Sequence, residues 1–269
     1  MTTSRLPVLE VTEKLPAKES DRHPILFVHG AAHGAWCWEQ WMDMAADAGY
    51  PSYAVSLRGH AGSEGSLLKS HLDSYVNDVV RTAASLPRQV ILVGHSLGGL
   101  VVQRASAKYA SKAAVLVAPV AARSGWRTLL SIARQHPGDA AKILAGGSIP
   151  MRYEYLFEGL ARQEADSYIS RMGGESTLAQ FQVIFHAPPD QPRGGAPVLV
   201  LGTPEDNLIP LPDVRDTAGR FGAPLIEYPG MGHDLMLDTG WEKPARDMLD
   251  WLEVNVSKSS PPAAAPAGA

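Results

Sequence analysis

Six short runs rich in Val, Ile and Leu, each of strand length and separated by stretches of helical periodicity, restrict this chain to a small set of folds. They are "ILFVHG" (25–30), "SYAVSL" (52–57), "QVILVGHS" (89–96), "AAVLVAPV" (113–120), "PVLVLG" (197–202) and "PLIEYPG" (224–230). Several are continuous rather than alternating, the pattern of parallel strands covered on both faces. Residues 36–48, 72–86, 97–110 and 241–254 read as helices between or after them. This alternation predicts an α/β protein with a doubly wound, mostly parallel sheet and helices on both sides.

One insertion breaks the rhythm. Residues 121–190 hold helix-like stretches such as "WRTLLSIARQ", "MRYEYLFEGL" and "STLAQFQVIF" with few strand signals. A structureless connection of that length is uncommon in a compact domain, so a helical cap inserted after the strand at 113–120 is expected. The core is then residues 1–120 together with 191–256. The remaining segment, 257–269 ("SKSSPPAAAPAGA"), is Pro/Ala-rich, and its composition predicts disorder.

Bulk properties exclude several classes. At 269 residues and 45% apolar the chain can bury one sizeable core. A formal charge of −4 without a basic run argues against nucleic acid as a partner. No 18 apolar residues run together, so no membrane-spanning helix is expected. The start, "MTTSRLPVLEVTEK", lacks the apolar stretch of a signal peptide, and a cytoplasmic protein is the expectation. A lone cysteine, Cys37, leaves no intramolecular disulfide and reads as a packed core residue. Oligomeric state is not signalled.

Chemistry concentrates around "VGHSLGGLVV" (93–102). Gly94-His95-Ser96-Leu97-Gly98 fits G-x-S-x-G, with a strand before it and a helix after it. In such a turn small residues flank the serine because neighbouring backbone leaves no room for a Cβ. The serine oxygen stands at the positive end of the following helix. A serine needs a base, and the base an orienting acid; in this topology they follow in the order Ser, acid, His. Of nine histidines only His233 lies after the strand at 197–202, in the glycine-rich "YPGMGHDLML". Asp206 in "GTPEDNLIP" is the chosen acid, with Glu205 as its competitor. The backbone N–H groups of Ala31, after "VHG", and Leu97 are the candidate oxyanion donors. His29 and His33 are four apart, resembling a metal-ligand pair. However, Gly30 at the strand exit disfavours a helix there and the glutamate of a zinc hydrolase motif is missing, so no metal is expected.

Together "VHG", "LRGHAGS", "GHSLGG", "GTPEDNLIP" and "GMGH", in that order, resemble the α/β-hydrolase superfamily over about residues 24–254. "HGAAHGAWCW" is similar to the branch holding plant-type methyl esterases, hydroxynitrile lyases and bacterial carboxylesterases. The resemblance implies a cofactor-free enzyme with a triad at the sheet's C-terminal edge and a helical cap forming the pocket. Ser96 at the nucleophile position argues against haloalkane dehalogenase or epoxide hydrolase chemistry. Hydroxynitrile lyases of this branch carry lysine after the histidine, where this chain has Asp234. Ser56 stands before "LRGHAGS", where relatives often carry aspartate.

The expected function is a serine hydrolase acting on a smallish, largely apolar carboxylic ester or lactone through an acyl-enzyme on Ser96. Arg plus Lys and Asp plus Glu number 7 each in 121–190, which signals no charged substrate. Trp126, Tyr153, Tyr155, Phe157 and Phe181 are the candidate pocket residues. The same fold and triad also serve carbon–carbon bond hydrolases, thioesterases or cyclases, and non-catalytic ligand receptors.

Overall fold

The computed structural model describes residues 5–256; the segment 257–269 lies outside the described residues. Among the described residues the strands are β1 (Val11–Lys14), β2 (Ile25–Val28), β3 (Ser52–Val55), β4 (Ile91–His95), β5 (Ala113–Val117), β6 (Val198–Gly202) and β7 (Leu225–Glu227). They form one sheet in the order β1-β3-β2-β4-β5-β6-β7. Every residue of β2, β4, β5 and β6 is buried, which is why their sequences are continuous apolar runs: both faces are covered. The helices outside the insertion are α1 (Glu39–Asp47), α2 (Leu72–Ser85), α3 (Ser96–Lys108), α9 (Leu211–Phe221) and α10 (Glu242–Asn255). α1 packs near α10 and α2 against α3, placing helices on both sides of the sheet.

β1 has no counterpart among the sequence-predicted strands. It pairs antiparallel with β3 at the sheet edge, whereas the other pairings are parallel. Its residues, "VTEK", are almost wholly exposed. Backbone hydrogen bonds, not apolar burial, hold it, and such a strand leaves no hydrophobic signature. The helix expected over 36–48 begins instead as a 3₁₀ turn, Ala35–Trp38, before α1. Trp38 and Trp41 are fully buried there and burial pushes the Cys37 thiol up, consistent with a packed core position. Ser56 is buried with its hydroxyl accepting from Ala35 N–H (2.9 Å) and donating to Glu10 Oε2 (2.5 Å), so it ties the start of that turn to the β1 approach.

Between β5 and β6 lie α4 (Trp126–Gln135), α5 (Pro137–Leu144), α6 (Tyr153–Leu156), α7 (Arg162–Arg171) and α8 (Thr177–Phe185). α7 buries only Ala165, which explains its weak apolar pattern. No described helix is long and apolar enough to cross a membrane.

The chain runs from β2 outward to β3, then returns to β4 on the other side of β2. Ligands of open α/β sheets bind at the C-terminal ends of strands where the winding reverses. The exits of β2 and β4 meet at that point.

Candidate active site

β4 ends at His95 and α3 begins at Ser96, with no residue between them. Ser96 has φ +52°, in the left-handed region that costs a non-glycine residue roughly 1–2 kcal/mol. The flanking glycines explain how the turn closes. A Cβ on Gly94 would lie 2.4 Å from the Gly98 carbonyl oxygen. One on Gly98 would lie 2.3 Å from the carbonyl oxygen of His29 and 2.5 Å from that of Val28. The serine turn is therefore wedged against the exit of β2, with Ser96 opening the first turn of α3. Leu97 N–H, in that same turn, has no carbonyl one turn back to bond within the helix.

His233 sits in the loop after β7, and its Nδ1–H donates to Asp206 Oδ2 at 2.6 Å. The other carboxylate oxygen, Asp206 Oδ1, accepts the backbone N–H groups of Leu208 and Ile209, both at 2.8 Å. This local turn aims the carboxylate and leaves one oxygen for the imidazole. Glu205 points elsewhere, accepting from Thr203 Oγ1 (2.9 Å) and Gly230 N–H (3.1 Å). Burial disfavours the His233 imidazolium, but the charges of Asp206 and Asp234 outweigh it and hold His233 above the ordinary histidine range.

Behind His233 lies a buried polar network that the sequence patterns did not reveal. His95 Nε2–H donates to the His233 carbonyl (3.1 Å) and lies 3.5 Å from Asp234 Oδ1. Burial holds His95 well below the usual histidine value, so it acts as a neutral donor anchoring the His233 backbone. Burial alone would raise the Asp234 carboxyl, but His33, His95 and His233 lower it. His33 Nε2 bonds Asp234 Oδ2 (3.0 Å) and its Nδ1 bonds the Ala31 carbonyl (2.8 Å). His29 accepts Leu57 N–H on Nε2 (2.9 Å) and donates from Nδ1 to the Gly30 carbonyl (2.7 Å). The Nδ1 atoms of His29 and His33 thus bond carbonyls of the loop between β2 and α1, while their Nε2 atoms reach Leu57, after β3, and Asp234. His95, His233 and Asp234 offer ligand atoms within 4.8 Å of one another, a spacing a cation could bridge.

Ser96, His233, Ala31 and Leu97 line one pocket of about 770 Å³, part of it open to solvent at the mouth. Its remaining wall is mainly aliphatic, including Val120, Leu129, Ile132, Val183, Leu208 and Ile209. None of the five aromatic residues expected to line it does so. Trp126 is half exposed beneath the Arg127 guanidinium. Phe181 borders a separate surface groove with Arg104 and Phe185. The Tyr153 hydroxyl donates to the Leu160 carbonyl (2.8 Å) and the Tyr155 hydroxyl to Asp139 (2.9 Å). Phe157 is buried where its backbone abuts Gly232: a Cβ there would lie 2.6 Å from Phe157 Cα. Tyr153 and Tyr155 fasten the inserted segment to itself and Phe157 abuts the histidine loop, and shorter aliphatic side chains face the cavity.

Asp238, also unread in the sequence, secures that contact. It is fully buried and accepts Gly232 N–H (2.6 Å) beside the N–H groups of Glu158 (2.9 Å) and Gly159 (3.1 Å). Asp234 N–H also donates to the Leu156 carbonyl at 2.9 Å.

Relatives and solved structures agree with this architecture. The chain is 38% identical over 108 residues to the pFDCC methylesterase of Arabidopsis thaliana, which is 37% of this chain and 40% of that protein. It is 36% identical over 104 residues to methyl jasmonate esterase 1 of Vitis vinifera, 37% of this chain and 39% of the relative. The match spans about two-fifths of the length of these curated relatives. The monoacylglycerol lipase of Paleococcus ferrophilus superposes with a TM-score of 0.69 at 20% identity, covering 92% of this chain and 99% of the other. An esterase from Exiguobacterium antarcticum gives 0.68 at 15% identity, covering 91% and 95%. Both share the fold. The model of the alpha/beta hydrolase family matches residues 25–247, and with the sheet order and serine turn above, the chain belongs to that family.

Proposed function

We propose that this protein is a carboxylic ester hydrolase working through an acyl-enzyme on Ser96, with Asp206 and His233 completing the triad. The observation that carries the reading is the strained Ser96 at the start of α3, sharing one apolar pocket with a His233 bonded to Asp206. Residues 121–190 act as the cap over a core of residues 1–120 and 191–256. The aliphatic wall and the methylesterase names of the relatives favour a small ester of an apolar acid, methyl esters included.

In the first half-reaction His233 Nε2 takes the Ser96 proton as Oγ bonds the substrate carbonyl carbon. The Ala31 and Leu97 N–H groups hold the resulting oxyanion, which is worth most in a site that excludes water. Collapse breaks the bond to the leaving alcohol, which receives the proton from His233. Water then repeats the sequence, releasing the acid and restoring Ser96. Asp206 fixes the imidazole tautomer and stabilises the imidazolium. Asp234, ionised and buried where the hydroxynitrile lyases carry lysine, removes the positive charge that a cyanide leaving group requires.

Two measurements test this. Fluorophosphonate labelling followed by mass mapping is expected to give a single adduct on Ser96, and p-nitrophenyl esters of short to medium acyl length are expected to turn over. An unlabelled Ser96 in folded protein would overturn the triad. The pH profile supplies the second. His233 must be neutral to accept the proton, and its pKa is raised. The acid limb of kcat/KM is therefore expected to have its midpoint above about 6.5, activity being lost as pH falls through it. Asp206→Asn is expected to move that limb to lower pH and to lower kcat by on the order of 10⁴. A limb that stays in place in this variant would separate His233 from the titration.

A further inference from the structure

We propose that Glu175, from the connection between α7 and α8, is a positioning residue that holds the oxyanion loop in its working shape. The inference rests on reading Ala31 N–H as an oxyanion donor. Glu175 is buried, although it belongs to the inserted segment rather than to the sheet. Its Oε2 accepts from Ala32 N–H (3.3 Å) and His60 Nε2 (3.2 Å). Its Oε1 accepts from the Tyr75 hydroxyl (2.7 Å) and Ser176 N–H (2.6 Å). Four donors from separate parts of the chain thus converge on one carboxylate, which offsets the cost of burying it.

The target of this convergence is a loop that needs holding. Ala32 adopts φ +63°, which a non-glycine residue keeps only when its surroundings impose it. Three successive peptide planes are pinned. His29 Nδ1–H fixes the Gly30 carbonyl, and a trans peptide then directs the Ala31 N–H the opposite way. The next plane is held at both ends, by His33 on the Ala31 carbonyl and by Glu175 on Ala32 N–H. The third is held by Gly173 N–H on the Ala32 carbonyl at 2.8 Å. His60, bonded to Glu175, also lies edge-on to His29 with ring centroids 5.0 Å apart, so the carboxylate reaches the first plane as well. Two of these restraints, Glu175 and Gly173, come from the insertion. Glu175 and Gly173 thereby tie the two planes that follow the oxyanion donor to residues 173–176, so the working shape of the oxyanion loop depends on that part of the insertion.

The test compares Glu175→Ala and Glu175→Gln with wild type. Functional sites are counted by exhaustive fluorophosphonate labelling, so that misfolded protein does not enter the rate. On p-nitrophenyl butyrate, kcat per labelled site is expected to fall by on the order of 10² in Glu175→Ala, comparable to losing one oxyanion donor, with KM within about threefold. The inhibition constant of an alkyl trifluoromethyl ketone, which forms an oxyanion on the serine, is expected to rise by a similar factor. Glu175→Gln keeps one acceptor oxygen for Ala32 N–H and is expected to lose less than about tenfold. Unchanged kcat per labelled site, or a loss carried wholly by KM, overturns the proposal. Amide hydrogen exchange over residues 30–33 reads the clamp without turnover. Faster exchange there in Glu175→Ala supports it and unchanged exchange overturns it, even if the wild type proves to hydrolyse no ester, in which case the functional reading alone fails.

Discussion

Ser96→Ala is expected to lower kcat on p-nitrophenyl esters by on the order of 10⁵–10⁶ while leaving the urea unfolding midpoint close to that of wild type. On the proposed mechanism the rate loss follows from removing the atom that forms the acyl bond, and the residual turnover measures what the remaining site contributes to attack by water. The stability expectation is less obvious. Ser96 sits at φ +52°, and alanine keeps the Cβ that makes this conformation costly, so the strain persists. Ser96→Gly removes the Cβ. It is expected to be equally inactive but more stable by about 0.5–1 kcal/mol, the relief of strain being partly offset by the freer unfolded chain. Urea titration of both variants beside initial rates checks the pair. A Ser96→Ala protein with more than one-hundredth of wild-type kcat would remove the serine from the mechanism.

Gly98→Ala is the expected largest single loss of stability. Its new Cβ would stand 2.3 and 2.5 Å from two backbone carbonyl oxygens at the exit of β2, and neither can rotate away as a side chain would. Relief requires α3 to slide off β2, breaking packing between the fully buried strand and the buried first half of the helix, at about 3–5 kcal/mol. The same slide pulls Leu97 from Ala31, so surviving folded protein is expected to be slow as well as unstable. Gly138→Ala in α5 supplies the contrast: nothing lies within 4 Å of its Cβ position, and the substitution is expected to be neutral or to gain up to about 1 kcal/mol. Denaturant midpoints of the two variants decide it. Equal stabilities would mean that the tight approach of α3 to β2 is not present in solution.

How much of this was legible beforehand depends on the range over which each feature is determined. The apolar runs of β2, β4, β5 and β6 announce buried parallel strands because burial on both faces is written into consecutive residues. Gly94, Ser96 and Gly98 announce the turn because its steric demands fall within five residues of chain. The histidine and acid could be sought after β7 and β6 because strand order places those loops at one sheet edge. Composition could say that the insertion was helical and apolar, but not which face of each helix looks inward. That is why Tyr153, Tyr155 and Phe157 were expected in the pocket, whereas the structure uses them to knit the insertion together.

What the sequence by itself determined is therefore the sheet, the serine turn and the loops from which a triad could be drawn, since each follows from local periodicity, local sterics or chain order. Tertiary structure alone decided that aliphatic residues line the pocket, that Glu175 meets Ala32 across 143 residues and that Asp234 meets His33 across 201. For the two carboxylates the physical reason is the same. A buried carboxylate is stable only where donors converge on it, and those donors are assembled by packing, far apart in the chain and unmarked by any pattern along it.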